Sequence, residues 1–311
     1  MAEAWTERGE RSHRFMFHMI AWVAKRLGRG AARALLHLGV AYFMLAAPAA
    51  RRASQDYLRR VLDRRPRWAD TYRHIYTFAT VFLDRMYMVG GAESPLSVTS
   101  HGVQSFRDCI DREQGALIMV SHLGSFEALR ALSGRRDDLT VRILMNWATG
   151  AKMNAVLQKL DPSFADRVID TSTSDFDRVL KVKAALDRGE MVGIMADRHH
   201  AGERTLDCDF LGGTAPFPLS PWLLAGMLGV PVFLAFGVYR GDRHYDLYCE
   251  RFSPGLSWPR GERMTRAGTW AQAYADRLAE YARQAPYNWF NFYQFWHEPA
   301  ADERRAGGSS E

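Results

Sequence analysis

Three cysteines among 311 residues, Cys109, Cys208 and Cys249, are too few and too widely spaced for a disulfide framework. They read as thiols of a reducing compartment. The chain has no Gly-x-Ser-x-Gly run, which excludes a serine hydrolase built on a nucleophile elbow. It has no P-loop. Gly28-Arg29-Gly30-Ala31-Ala32-Arg33 falls short of a dinucleotide fingerprint and follows no apolar strand. No cofactor motif is present, so no cofactor is expected. Neither zinc-finger spacing nor an RNA-recognition signature accompanies the basic balance, and nucleic acid is not an expected partner. The net charge of +6 and pI near 9.3 fit an anionic membrane surface or an acidic protein partner instead.

What is present is enough apolar material for a large core: 47% hydrophobic and 12% aromatic residues. The chain reads as three parts. Residues 1–95 form a helical region with a membrane-associating segment, 96–299 an α/β domain, and 300–311 a polar, disordered tail. Ala31 to Ala50 is mostly apolar, with Arg33 and His37 inside it and Arg51 and Arg52 closing it. Basic residues on both sides give no clean orientation. A helix lying in or dipping into the bilayer surface is favoured over a true span, with a buried core helix as the alternative. Ser54 to Leu62 reads as a short basic helix. Trp68 to Val89 carries aromatics at helical spacing.

Beyond residue 97 strands and helices alternate. The expected strands are Ala116–Val120, Val141–Met145, Met191–Met195, Pro231–Val238 and Tyr245–Glu250. The expected helices are Phe126–Ser133, Lys152–Leu160, Phe176–Asp187, Pro221–Leu228 and Arg266–Arg283. Alternation of this kind predicts an α/β fold with a mainly parallel central sheet flanked by helices. Near the end, seven of the eleven residues from Pro286 to Trp296 are aromatic. They either close a core or form a belt at headgroup level, and the first is the default.

The chemistry-bearing block is Ser121-His122-Leu123-Gly124-Ser125-Phe126-Glu127, directly after the apolar run Ala116–Val120. A strand, a small-residue turn and a helix would present His122 at the carboxyl edge of a sheet, where ligands bind in open α/β folds. Glu127, about a turn into the helix, would hold one ring nitrogen and leave the other free to take a proton. Spacing and context alone leave a buried, satisfied histidine equally open. Asp197-Arg198-His199-His200 follows a second strand. It reads as a substrate-orienting cluster, as a metal site of Asp197, His199 and His200, or as a polar loop with a structural Asp–Arg pair. Phe210-Leu211-Gly212-Gly213 opens an apolar, turn-rich stretch that would line an acyl channel or merely pack on the core.

This ordered set resembles the lipid A late acyltransferases, within the wider lysophospholipid acyltransferase superfamily. The likeness comprises a helical leader, a His-x4-Glu block after a strand, the strand end at Asp197, the Phe210-Leu211-Gly212 loop and the strand Pro231–Val238. It covers roughly residues 15 to 296. It implies an α/β sheet, a bacterial inner membrane location on the cytoplasmic face, and acyl carrier protein or coenzyme A as thioester donor to a lipid acceptor. On that reading His122 is the general base and Glu127 its orienting acid. Amides at Gly124 and Ser125 hold the developing oxyanion, and Asn146, Asp197, Arg198, Phe210 and Gly212 contact substrate. In the relatives an arginine often stands near the position of Asn146 and Trp147, whereas here Arg142 lies inside the preceding strand. The terminal Tyr287-Asn288-Trp289-Phe290-Asn291-Phe292-Tyr293 run looks more like acyltransferases of aryl-polyene or other specialised lipid pathways. Two other classes stay open: a membrane-bound scaffold without catalysis, and a metal-assisted hydrolase using Asp197, His199 and His200.

Overall fold

A computed structural model describes residues 22–24, 26–89, 95–129, 140–147, 158, 161–172, 174–200, 202–259 and 261–297. The amino-terminal part is helical, as its periodicity predicts: α1 (Gly28–Ala46), α2 (Pro48–Leu62) and α3 (Trp68–Val89). Pro48, whose missing N–H costs nothing at a helix start, opens α2 after a bend of 97°. Among the described residues no single helix is long and apolar enough to cross a membrane, although the bent α1–α2 pair passes that test together.

The remainder contains β1 (Ser97–His101), α4 (Gln104–Asp111), β2 (Ala116–Gly124), a single 3-10 turn at Phe126–Leu129, β3 (Val141–Met145) and β4 (Val168–Asp170). Then come α5 (Asp175–Asp187), β5 (Met191–Met195), β6 (Thr205–Phe210), β7 (Gly213–Pro218), α6 (Ser220–Leu228), β8 (Val232–Gly241), β9 (His244–Ser253) and α7 (Arg263–Gln284). Seven strands form one sheet in the order β1-β9-β8-β2-β5-β3-β4, and β6 and β7 form a separate hairpin. Only the β8–β9 pairing in the large sheet is antiparallel; the others are parallel. The expected mainly parallel α/β sheet is therefore present.

β2 lies in the middle of this sheet, and its apolar run is buried on both faces. Leu117 and Met119 join the cluster beneath α7, while Ala116, Ile118 and Val120 join the one beneath α4. α7 approaches closely because its inward stripe is largely alanine: Ala267, Ala271, Ala275, Ala279 and Ala282. Tyr274 of the same stripe donates from its hydroxyl to the Val120 carbonyl at 2.9 Å.

The helical region is fixed to the sheet by polar contacts as well as packing. Arg29 of α1 forks onto the fully buried Asp84 of α3 at 2.6 and 2.8 Å, and Tyr245 of β9 donates to the same carboxylate at 2.8 Å. Breaking one side of a buried pair of this kind costs about 3–5 kcal/mol.

Several elements differ from the sequence reading. The helix expected over Phe126–Ser133 is a 3-10 turn through Leu129, and its remainder lies outside the described residues, as does nearly all of the one expected over Lys152–Leu160. The Phe210–Pro218 stretch, read as a loop, is the β6–β7 hairpin. Its two linking residues, Leu211 and Gly212, both have positive φ (49° and 74°), the geometry that a two-residue hairpin turn requires.

Candidate active site

β2 does not stop at Val120. Between Val120, which pairs with Ala235, and Gly124, which pairs with Gly237, β2 advances four residues while β8 advances two. The excess is a bulge, a device that re-aims side chains at sheet edges near functional sites. His122 sits in it. Gly124 makes the bulge possible: its φ is +67°, and a Cβ there would lie 1.8 Å from the Gly237 carbonyl oxygen.

The register of the next strand supplies the partner. Val120 of β2 is paired with Met195 of β5. Two residues beyond each lie His122 and Asp197, side by side at the carboxyl edge. Asp197 Oδ1 is 2.9 Å from His122 Nδ1, and Oδ2 accepts the His122 backbone N–H at 2.9 Å. Oδ2 also accepts the indole N–H of Trp289 at 2.9 Å. Asp197 is fully buried, while 34% of the His122 side chain reaches solvent. Burial pushes the Asp197 pKa up, but the adjacent His122 ring, its hydrogen bonds and the Arg198 charge outweigh this and hold it at about 2. Enclosure of the ring lowers the His122 pKa, the Arg198 and Arg85 charges lower it further, and Asp197 opposes them. The resting pair is therefore a neutral imidazole with its Nδ1 proton on a carboxylate, and Nε2 is the nitrogen left to accept a proton.

Glu127 does not orient His122. Because the chain makes only a 3-10 turn here, the buried Glu127 carboxylate faces Arg85 of α3, which donates from Nε to Oε1 at 2.6 Å. Its Oε2 accepts the Ser125 hydroxyl at 3.0 Å. Among the described residues it has no hydrogen bond to His122. The His-x4-Glu spacing thus locates the site, and Asp197 occupies the place expected for Glu127.

The proposed amide donors for an oxyanion are also spent. The Gly124 N–H goes to the Asn288 carbonyl and the Ser125 N–H to the Gly237 carbonyl, both at 2.8 Å. The Leu123 N–H meets the Ser121 hydroxyl at 3.3 Å.

The aromatic run near the end closes the core. Trp289 bridges Leu123 in an antiparallel sense, and the Phe290 N–H donates to the His122 carbonyl at 3.0 Å. The Trp289 carbonyl accepts from Nε2 of the buried His74 at 2.9 Å, and His74 Nδ1 accepts from Ser54 Oγ at 2.8 Å. Trp289 was not singled out by the sequence as a site residue. One clue was a tryptophan among asparagines in a stretch too polar for an ordinary core strand.

Of the other candidates, Arg198 stays beside the pair: its guanidinium lies 5.5 Å from the Tyr293 ring centroid and donates to the Phe290 carbonyl. Asn146 directly follows β3, one strand further from β2 than β5. Phe210 is buried in the core against Phe217, Trp289 and Trp296, while Gly212 is at the exposed hairpin tip. Arg142 is taken by Glu190 at 2.7 Å. Asp197, His199 and His200 do not converge as ligands; both Asp197 oxygens face His122 and Trp289, and among the described residues no such cluster is found.

Residues 85–298 match the family described as bacterial lipid A biosynthesis acyltransferase. That span begins at Arg85 and takes in His122, Asp197 and the aromatic closure. No curated protein matches the chain.

Proposed function

The chain belongs to the bacterial lipid A biosynthesis acyltransferase family, and from that footing we propose that it moves a fatty acyl group from a thioester to a hydroxyl or amine of a lipid, with His122 as general base. The observation that carries this reading is the His122–Asp197 pair at the carboxyl edge of the central strand. A neutral imidazole removes the acceptor proton through Nε2 as the acceptor attacks the thioester carbonyl. Asp197 holds the tautomer and stabilises the imidazolium that forms. The tetrahedral intermediate collapses, expelling the thiolate, which takes the proton back from His122. Ester (or amide) and free thiol leave, and the imidazole is neutral again. Positioned bases of this kind contribute about 10²- to 10⁴-fold. Glu127 acts at one remove: with Arg85 and Ser125 it ties the turn after the bulge to α3.

The donor is a thioester of acyl carrier protein or coenzyme A, and the work is done at the cytoplasmic face of a bacterial inner membrane. The outward face of α1 supports a lipid surface as partner. Leu38 is 70%, Tyr42 52% and Leu45 74% exposed, one to two turns apart, and no charged residue interrupts that face from Gly30 to Ala46. Past the bend, Arg52, Arg59, Arg64, Arg65 and Arg67 are exposed. Apolar side chains beside a basic helix fit acyl chains next to anionic headgroups.

Mass spectrometry of lipids from cells lacking the gene, complemented by the native chain or by His122→Ala, tests the reading. The native gene should restore an acylated lipid that the variant does not. Full restoration by His122→Ala would leave a catalysis-free scaffold as the better description.

A further inference from the structure

Among the described residues the site contains a guanidinium that belongs to no ion pair, although its charge helps to hold Asp197 ionised. Among the described residues Arg85 is matched by Glu127, and Asp197 serves His122 and Trp289, but Arg198 forms no ion pair. One of its nitrogens donates to the Phe290 carbonyl and its plane lies against Tyr293. Its Nε is buried without a hydrogen-bond partner, and so is Nδ1 of the next residue, His199. Buried donors are rarely left unpaired, since each costs on the order of 1–3 kcal/mol. The same guanidinium works against the general base at rest, because its charge disfavours the imidazolium.

Both costs have a reason if an anion forms beside Arg198 during turnover. The peptide amides that would otherwise receive such an anion, those of His122, Leu123, Gly124 and Ser125, are all bonded within the protein. We propose that Arg198 is a catalytic residue that stabilises the negative charge on the thioester carbonyl oxygen in the tetrahedral intermediate. This inference rests on the acyl-transfer reading above. As the acceptor oxygen bonds to the carbonyl carbon, the carbonyl π pair moves onto oxygen and the proton passes to His122 Nε2. One new negative and one new positive charge then exist, and Arg198 pairs with the first as Asp197 pairs with the second. On collapse the pair of electrons returns, the C–S bond breaks, and Arg198 is left as before. A preorganised donor in this role gives roughly a hundred- to a thousandfold in rate.

The test uses full-length protein in detergent with lauroyl thioesters of coenzyme A and of acyl carrier protein, total bacterial lipid extract as acceptor, and thiol release as readout. Arg198→Gln should lower kcat by roughly a hundredfold or more with little change in either KM. Arg198→Lys, which keeps the charge but not the fork, should recover part of it. In Arg198→Gln the acid limb of kcat/KM should move to higher pH, since a cation beside His122 has gone. A loss confined to the KM of the acceptor or donor would overturn the proposal in favour of a substrate-phosphate contact. Unchanged kcat in Arg198→Gln would overturn it outright. If Arg198→Gln does not fold, Arg198→Lys decides: kcat equal to the native chain's, or as low as that of His122→Ala, would overturn it. Absence of thiol release by the native chain would instead sink the acyl-transfer reading itself.

Discussion

Asp197 grips His122 at two points, its ring Nδ1 and its backbone N–H, each at 2.9 Å. One carboxylate thereby fixes where the imidazole is, which tautomer it holds and which nitrogen faces outward. Asp197→Asn removes the charge and can present an N–H where an acceptor is needed. We expect kcat to fall about 10²- to 10⁴-fold with the fold retained, measured by thiol release and circular dichroism. Activity equal to that of the native chain would show that the pair is structural.

The pH profile follows from the same pair. Enclosure and two nearby guanidiniums lower the His122 pKa from its ordinary 6.5. The base is therefore still neutral somewhat below that pH, and kcat/KM should begin to fall only on the acid side of 6.5. A limb centred at or above 6.5 would contradict this arrangement.

His74 makes stability, rather than rate, depend on pH. Burial lowers its pKa to about 4 from 6.5. The unfolded chain binds this proton more readily than the native one, so the contribution is complete above pH 6.5 and is lost as pH falls towards 4. The penalty approaches roughly 3 kcal/mol below both values. His74→Gln can keep a donor for the Trp289 carbonyl and an acceptor for Ser54 without titrating. Urea midpoints between pH 7 and 4 should slope less steeply in that variant; identical slopes would exclude His74 as the cause.

Two glycines with similar backbone angles should respond very differently to alanine. At Gly124 the added Cβ would collide with the Gly237 carbonyl, whereas at Gly212 nothing lies within 4 Å. Gly212→Ala should cost only the left-handed backbone penalty, about 1–2 kcal/mol. Gly124→Ala adds a collision in the bulge that carries His122. It should cost roughly 3 kcal/mol or more and abolish activity even where folded protein is recovered. Comparable denaturation midpoints for the two would refute the role given to the bulge.

The exposed face of α1 gives a prediction about partitioning. Leu38→Glu with Leu45→Glu should weaken sedimentation with phosphatidylglycerol vesicles by tenfold or more, since each leucine buried in lipid contributes about 1.5–3 kcal/mol. Catalytic rate in detergent should be unaffected. Unaltered vesicle binding would assign that face to something other than lipid.

The sequence carried the layout well where burial alone decides structure. The run Met191–Met195 is a strand with the expected bounds, because a strand covered on both faces must be apolar throughout; Val141–Met145 also keeps its expected bounds, although it is half-buried and carries Arg142. His122 was legible from its place after such a run. Its partner was not, because one dimension does not say that the strand ending at Met195 lies beside the one passing Val120. Glu127 looked like the partner on the premise of a helix, and a 3-10 turn points it elsewhere. Short, half-exposed strands such as Ser97–His101 and Val168–Asp170 left too little apolar pattern to find. Pro216 and Pro218 disguised β7, which tolerates them as part of a two-stranded ribbon.

The closure by Trp289 and Phe290 has a bearing on the birth of the protein. The indole that steadies Asp197 and the amide that meets the His122 carbonyl come from residues 289 and 290, which follow every strand of the large sheet. A polypeptide made only as far as residue 288 has every strand of the large sheet and still lacks both contacts to the His122–Asp197 pair. On the acyl-transfer reading, a protease that clips ahead of residue 289 leaves the sheet whole and the molecule inactive.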